Sequence, residues 1–413
     1  MAEIRAFKCV RPQESVVSKV AALPYDVYSR AEAKEAVSGN PLSFLNIDRA
    51  ETQFSNEVGT YDDCVYEKAR ELFEERLNDK TYIEDNDRCY YLYELTMDGR
   101  TQTGIVAVAS IDDYLNNVIK KHENTREDKE LDRIRHVDAL SAQTGPIFLA
   151  YRSNGRIAGI VEKVKEEKPL YDFTSDDGIR HRVFKVNAAR DIETIYDEFS
   201  RIGSIYIADG HHRAASAVKV GLKRRKENPK YTGQEEFNFF LSVLFPENEL
   251  KIMPYNRVVH DLNGLNEEQF MTRLFHDFYI KPQGNTQVSP SEKCEFGLYI
   301  RESGWFDLKA KKHILEVTDP VASLDVSILQ EYVLNPMLGI KNPRTDSRID
   351  FVGGIRGIDE LERRANSDMQ LAFSMYPTSI TELFHVADAG RLMPPKSTWF
   401  EPKLRSGIFI HRF

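Results

Sequence analysis

No stretch of this chain stays apolar for the ~20 residues that a membrane-spanning helix requires, and the opening MAEIRAFKCVRP lacks the apolar core of a secretory leader. A cytoplasmic protein with no membrane partner is expected. Cysteine is scarce: Cys9, Cys64, Cys89 and Cys294 are scattered without a CxxC pair, which excludes a zinc ribbon or thioredoxin-like redox site and leaves ordinary reduced thiols. No GxxxxGKS/T sequence occurs, so the ordinary P-loop kinase is excluded. Positive charge is not in excess either. Lys and Arg number 56 against 65 Asp and Glu, a net −9, which argues against a general nucleic-acid coat.

What is present is the composition of a globular protein, 41% hydrophobic and 29% charged, in a chain of 413 residues that is long for a single small core. The pattern is mixed α and β without repeats. Arg88 to Thr96 and Gln102 to Ser110 alternate like strands joined around Asp98-Gly99, while Tyr61 to Asn78 has helical spacing. Asn40 to Leu45 resembles a turn entering a strand, and His313 to Val317 also reads as a strand. The charge-rich run Lys223 to Glu236 suggests a soft boundary near residue 235, giving expected subdomains of 1–235 and 236–413.

One segment ties residue type to chemistry most tightly: Ser204 to Ala217, SIYIADGHHRAASA. A β-rich run meets Asp209-Gly210 and passes directly into alanine-rich helical sequence with Gly221 as its expected stop. The amides of Gly210, His211 and His212 are expected in the first helical turn, where free N–H groups and the positive helix end attract phosphate, and His211, His212 and Arg213 add donors. Asp209 can cap the helix or face a metal. A plain strand-to-helix corner is the alternative.

A second segment, Ile119 to Gly145, carries His122-Glu123 ahead of an expected helix over Arg126 to Leu140. Helical spacing puts Leu131, Ile134 and Val137 on one face and Arg126, Lys129, Arg133 and His136 on another. Glu123 is the candidate general base if folding brings it opposite the anion site, or else a helix-initiating acid. HExxH is excluded because position 126 is arginine. The late run Met393 to Gly407, MPPKSTWFEPKLRSG, offers Lys396 and Arg405 to an anion and either closes a pocket or packs on the core through Trp399 and Phe400. In FVGGIRG, Gly353, Gly354 and Gly357 read as a packing turn.

Arg11-Pro12, AALPYDV, NPLSFL, KHENTRED with a later Asp-Arg and His, IADGHHRAASA and MPPKSTWFEPKLRSG together resemble, over essentially the whole chain, the domain-of-unknown-function family numbered one thousand and fifteen. Locally, ADGHHR resembles the phosphate-binding turn of the ParB/sulfiredoxin-like superfamily, some of whose members are free-serine kinases. The resemblance implies an α+β fold with a ParB/sulfiredoxin-like nucleotide-binding core, large insertions and a C-terminal α/β subdomain. It further implies phosphoryl transfer from ATP or ADP, with Mg²⁺, to the hydroxyl of L-serine. In that reading Gly210, His211, His212, Arg213, Lys396 and Arg405 hold the nucleotide, Asp209 holds metal or substrate, Glu123 and His122 act on the acceptor, and Arg126, Arg133 and His136 bind it. The rivals are a ParB-like nucleotide-binding regulator associated with DNA, and a phosphoester hydrolase using the same pocket. Histidine at 211 replaces the sulfiredoxin cysteine, which argues against peroxiredoxin repair.

Overall fold

Asp98 and Gly99 both take positive φ, 51° and 76°, the mirror-image turn whose twist matches the strands it joins. Across it Tyr90–Met97 pairs with Arg100–Ser110 in the expected hairpin, the middle of a nine-stranded mixed sheet. The computed structural model describes all 413 residues. From one edge the strands run Ile119–Lys120, Ile205–Asp209, Ile147–Tyr151, Phe239–Pro246, Arg100–Ser110, Tyr90–Met97, Arg180–Val186 and Tyr171–Thr174, with Ile4–Arg5 also pairing Arg100–Ser110. Parallel pairing joins Ile119–Lys120 to Ile205–Asp209, and Ile147–Tyr151 to Phe239–Pro246; the other pairings are antiparallel.

The chain divides into two units, Met1–Leu250 with Pro402–Phe413, and Lys251–Glu401. The division falls at Leu250 rather than near 235 because Phe239–Pro246, buried and apolar, is an interior strand of the first sheet. The last twelve residues also belong to the first unit. Ser406 and Ala22 exchange backbone hydrogen bonds, as do Ile410 and Val10, and His411–Arg412 pairs with Ala142–Gln143. In the second unit a six-stranded antiparallel sheet is ordered Phe278–Gly284, Gly304–Ala310, Glu295–Ile300, Leu371–Met375, Tyr255–Val259 and Ile349–Gly353, with Trp305 fully buried in its core. The architecture is mixed α and β, as expected.

Several local expectations change. Leu45–Asp48 is a short helix, not a strand, and Lys312–Leu315 is helical where a strand was expected. The helix beginning at His211 does not stop at Gly221; it runs 17 residues to Glu227. Gly221 is there for close packing, since a Cβ would meet the Phe237 carbonyl oxygen at 2.5 Å and Ile111 Cδ1 at 2.8 Å. The helix Glu127–Leu140 reverses the usual logic of its pattern: Arg133 and His136 are buried and Leu131 is 56% exposed. Its polar face is turned inward, against charged partners that the spacing alone does not disclose. No helix is long and apolar enough to cross a membrane.

Candidate functional site

Strand Ile205–Asp209 ends against Gly210, whose φ of 92° turns the chain into the helix His211–Glu227. A side chain at 210 would meet three guanidinium atoms of Arg213 at 3.1 Å, because that guanidinium folds back over the turn. Asp209 is not the cap. Gly210 holds that position, and the Asp209 carboxylate accepts the Gly210 N–H at 3.0 Å. No side chain caps the helix, so the following amides of the first turn remain for an anion. Arg213 donates to the Pro146 carbonyl at 2.5 Å and lies 3.7 Å from Asp209, while Lys403, returning with the C-terminal segment, lies 3.4 Å from the same carboxylate. Burial would raise the Asp209 carboxyl, but Lys403 and Arg213 outweigh it and hold the group well below the ordinary carboxylate range.

The loop carrying His122 and Glu123 is brought to this turn by strand register. Ile119 and Lys120 pair in parallel with Ile205 and Tyr206, and just beyond the end of that ladder the His122 side chain hydrogen-bonds the Ile207 carbonyl. The Arg126 N–H, donating to His212 Nε2 at 2.9 Å, fastens the far end of the loop to the helix. Buried His122 and His211 stand edge to face, ring centres 4.5 Å apart, with His122 Nδ1 and His211 Nε2 making no hydrogen bond. Burial pushes His122 down to about 4, despite a hydrogen bond to the Ile207 carbonyl and the nearby Asp209 charge. Burial, with His122 adjacent, pushes His211 well below its ordinary value, so both rings are neutral at pH 7.

Alanine at 214, 215 and 217 keeps the buried face of the His211–Glu227 helix small, and the helix lies against Glu127–Leu140 through Ser216, which donates to the Glu130 carbonyl at 3.0 Å. That contact places Arg133 and His136 beside the turn. With Tyr25, Asp48 and Asp132 they line a cavity of about 100 Å³; a smaller one of about 30 Å³ shares Tyr25, Asp48, Arg133 and His136 and reaches Thr144, Arg213 and Ser406. Arg213 therefore belongs both to the anion turn and to the cavity wall. Burial would lower the Arg133 guanidinium, but Asp132, Tyr25 and Asp48 raise it above its ordinary value. Burial and Arg133 lower His136 to about 4.

Three expected site residues stand elsewhere. The Arg405 side chain is buried in an ion pair with Asp177 and donates to Ser175 at 3.1 Å, so it anchors the C-terminal segment. Lys396 lies in the second unit, its ammonium 5.4 Å from the centre of the Tyr255 ring. Arg126 reaches the turn through its main-chain N–H, while its guanidinium pairs with Asp128 at the surface. No group of three or more His, Cys, Asp or Glu is placed to hold a metal ion, and Asp209 is the carboxylate on the turn itself. Tyr25, Asp48 and Asp132 were missed as site residues, although Tyr25 stands in AALPYDV and Asp48 follows NPLSFL by three positions.

Residues 4–327 match the family described as "Protein of unknown function (DUF1015)". The chain belongs to that family. Its fold has similarity to SbnI with C-terminal truncation from Staphylococcus aureus, at 11% identity and a TM-score of 0.39, covering 73% of this chain and 85% of that one. It also has similarity to a free serine kinase mutant in complex with AMP, at 13% identity and a TM-score of 0.36, covering 73% and 92%. For a free serine kinase mutant in complex with ADP the values are 14%, 0.35, 74% and 93%. A comparison with curated proteins gives no match.

Proposed function

We propose that this member of the DUF1015 family is a phosphotransferase that moves a phosphoryl group from ATP or ADP to the hydroxyl of L-serine, giving O-phosphoserine. The observation that carries the reading is the uncapped turn at Gly210, with Arg213 folded over it and Asp209 held ionised beside it. First-turn amides and Arg213 would hold the nucleotide phosphates, leaving the terminal phosphorus open to in-line attack. The acceptor Oγ forms the new P–O bond as the bond to the departing nucleotide oxygen breaks, and Glu123, on the loop that follows the edge strand Ile119–Lys120, would take the hydroxyl proton. Lys403 and Arg213 keep Asp209 charged and oriented, and neutral His122 and His211 wall the turn.

Asp209, the carboxylate on the turn, would be the residue to hold magnesium arriving with the nucleotide. Bound there, the ion would neutralise charge on the phosphates. Positioning and charge neutralisation carry the chemistry in this reading.

The test is to incubate the full chain with ATP or ADP and L-serine and detect O-phosphoserine by mass. Arg213→Ala and Asp209→Ala are each expected to lower kcat/KM by at least a hundredfold, roughly what two lost charge-assisted contacts carry. Near-normal turnover in either folded variant would remove the proposed site. Phosphate release without serine would instead identify a hydrolase.

A further inference from the structure

The cavity beside the turn is built unlike an ordinary structural ion-pair network, because two of its buried charged groups keep an unspent hydrogen-bonding atom. Arg133, 6% exposed, spends Nε and Nη2 on the Asp132 carboxylate and the Asp48 carbonyl, at 2.9 and 3.4 Å, and its guanidinium lies 4.0 Å from the centre of the Tyr25 ring. Its Nη1 makes no hydrogen bond. Asp48, 4% exposed, accepts from Thr144 at 3.0 Å through Oδ1, and the same oxygen lies 3.8 Å from His136 Nε2; its Oδ2 makes no hydrogen bond. His136 spends its Nε2–H on the Ile47 carbonyl 3.1 Å away rather than on Asp48. The Asp48 carboxylate and the Arg133 guanidinium do not pair with each other, yet both line the two neighbouring cavities.

A buried carboxylate with no guanidinium or ammonium paired to it is costly unless a further body supplies a cation, and Arg133, already paired with Asp132, keeps one donor for the other end of such a body. We propose that this body is the zwitterionic head of a free α-amino acid, its ammonium on Asp48 and its carboxylate on Arg133. The two charges of such a head are separated by a single carbon, which suits a carboxylate and a guanidinium that line one small cavity. The rigid stack on Tyr25 and the Asp132 bond pre-orient the guanidinium, so little freedom is lost when a carboxylate takes its remaining face. Arg213, shared between the smaller cavity and the turn, then marks the direction in which the side-chain hydroxyl of the bound amino acid leaves toward phosphate. This rests on the phosphotransfer reading only for the use made of the hydroxyl; the binding of the head does not.

The test is calorimetric titration of the full chain, without nucleotide, by L-serine, L-alanine, ethanolamine and D-glycerate. L-serine and L-alanine are expected to bind within about tenfold of each other, and ethanolamine and D-glycerate, each lacking one charge, at least tenfold more weakly, the loss carried by one charge-assisted hydrogen bond. Asp48→Asn should weaken the two ammonium-bearing amino acids while leaving ADP binding within twofold. Affinities for the four compounds that do not separate, or preferred binding of D-glycerate, would overturn the inference on the wild-type protein, whatever the variant does. Selective amino-acid binding in a protein that fails to bind ADP would support the cavity and overturn the phosphotransfer reading, and ADP binding without zwitterion selectivity would do the reverse.

Discussion

Replacing Gly210 by alanine separates backbone strain from phosphate binding more cleanly than deleting a charged side chain. At φ 92° an alanine is expected to cost about 1–2 kcal/mol of stability from the clash of Cβ with its own backbone. The second effect is local. The new methyl would stand 3.1 Å from Cζ, Nε and Nη2 of Arg213, closer than carbon tolerates, so the guanidinium must move by a few tenths of an ångström away from the turn. If that guanidinium grips a nucleotide phosphate, a lost charge-assisted contact of about 1.5–3 kcal/mol weakens binding roughly 10- to 150-fold. Gly99→Ala is the control: its φ is 76°, and nothing lies within 4 Å of a Cβ placed there. Both variants should lose similar stability in urea titrations of the full chain. Only Gly210→Ala should lose affinity for ADP by calorimetry. Equal ADP affinities in the two variants would refute the view that the position of Arg213 over the turn holds phosphate.

Two further outcomes follow from other buried charges. Asp325 in the second unit has its carboxyl raised from 3.8 to about 7 by burial, although the Cys294 N–H donates to both its oxygens and Lys293 pulls the other way. An acid raised by folding costs nothing below the unfolded value and its full penalty above the folded one, so stability falls as pH rises from 3.8 to about 7. Asp325→Asn should add about 2–4 kcal/mol of protection at pH 8 and none at pH 3, read by hydrogen exchange of amides in the second unit; an unchanged pH slope would contradict it. Arg405→Met should cost no more than about 1 kcal/mol, because the Asp177 carboxylate left behind is 40% exposed and stays hydrated, with ADP affinity unchanged, whereas a large affinity loss would restore Arg405 to the phosphate site.

The sequence by itself determined the parts whose cause is local. The two-residue hairpin at Asp98-Gly99 needs only residues that accept positive φ, and the capping box at Ser379 and Glu382 needs only their spacing. The turn at Asp209 to Arg213 was legible for the same reason, as a strand, a glycine and a run of helix formers in succession. Tertiary structure decided what depends on partners distant along the chain. Asp48 and Arg133 line one cavity only because the helices Leu45–Asp48 and Glu127–Leu140 belong to one unit, which buries both charges. The C-terminal segment carries Lys403 to Asp209 across 194 positions, while Arg405, two residues later, is drawn off to Asp177. Nothing in the spacing of Lys396, Lys403 and Arg405 ranks them, because which cation finds which carboxylate is set by the path of the folded chain.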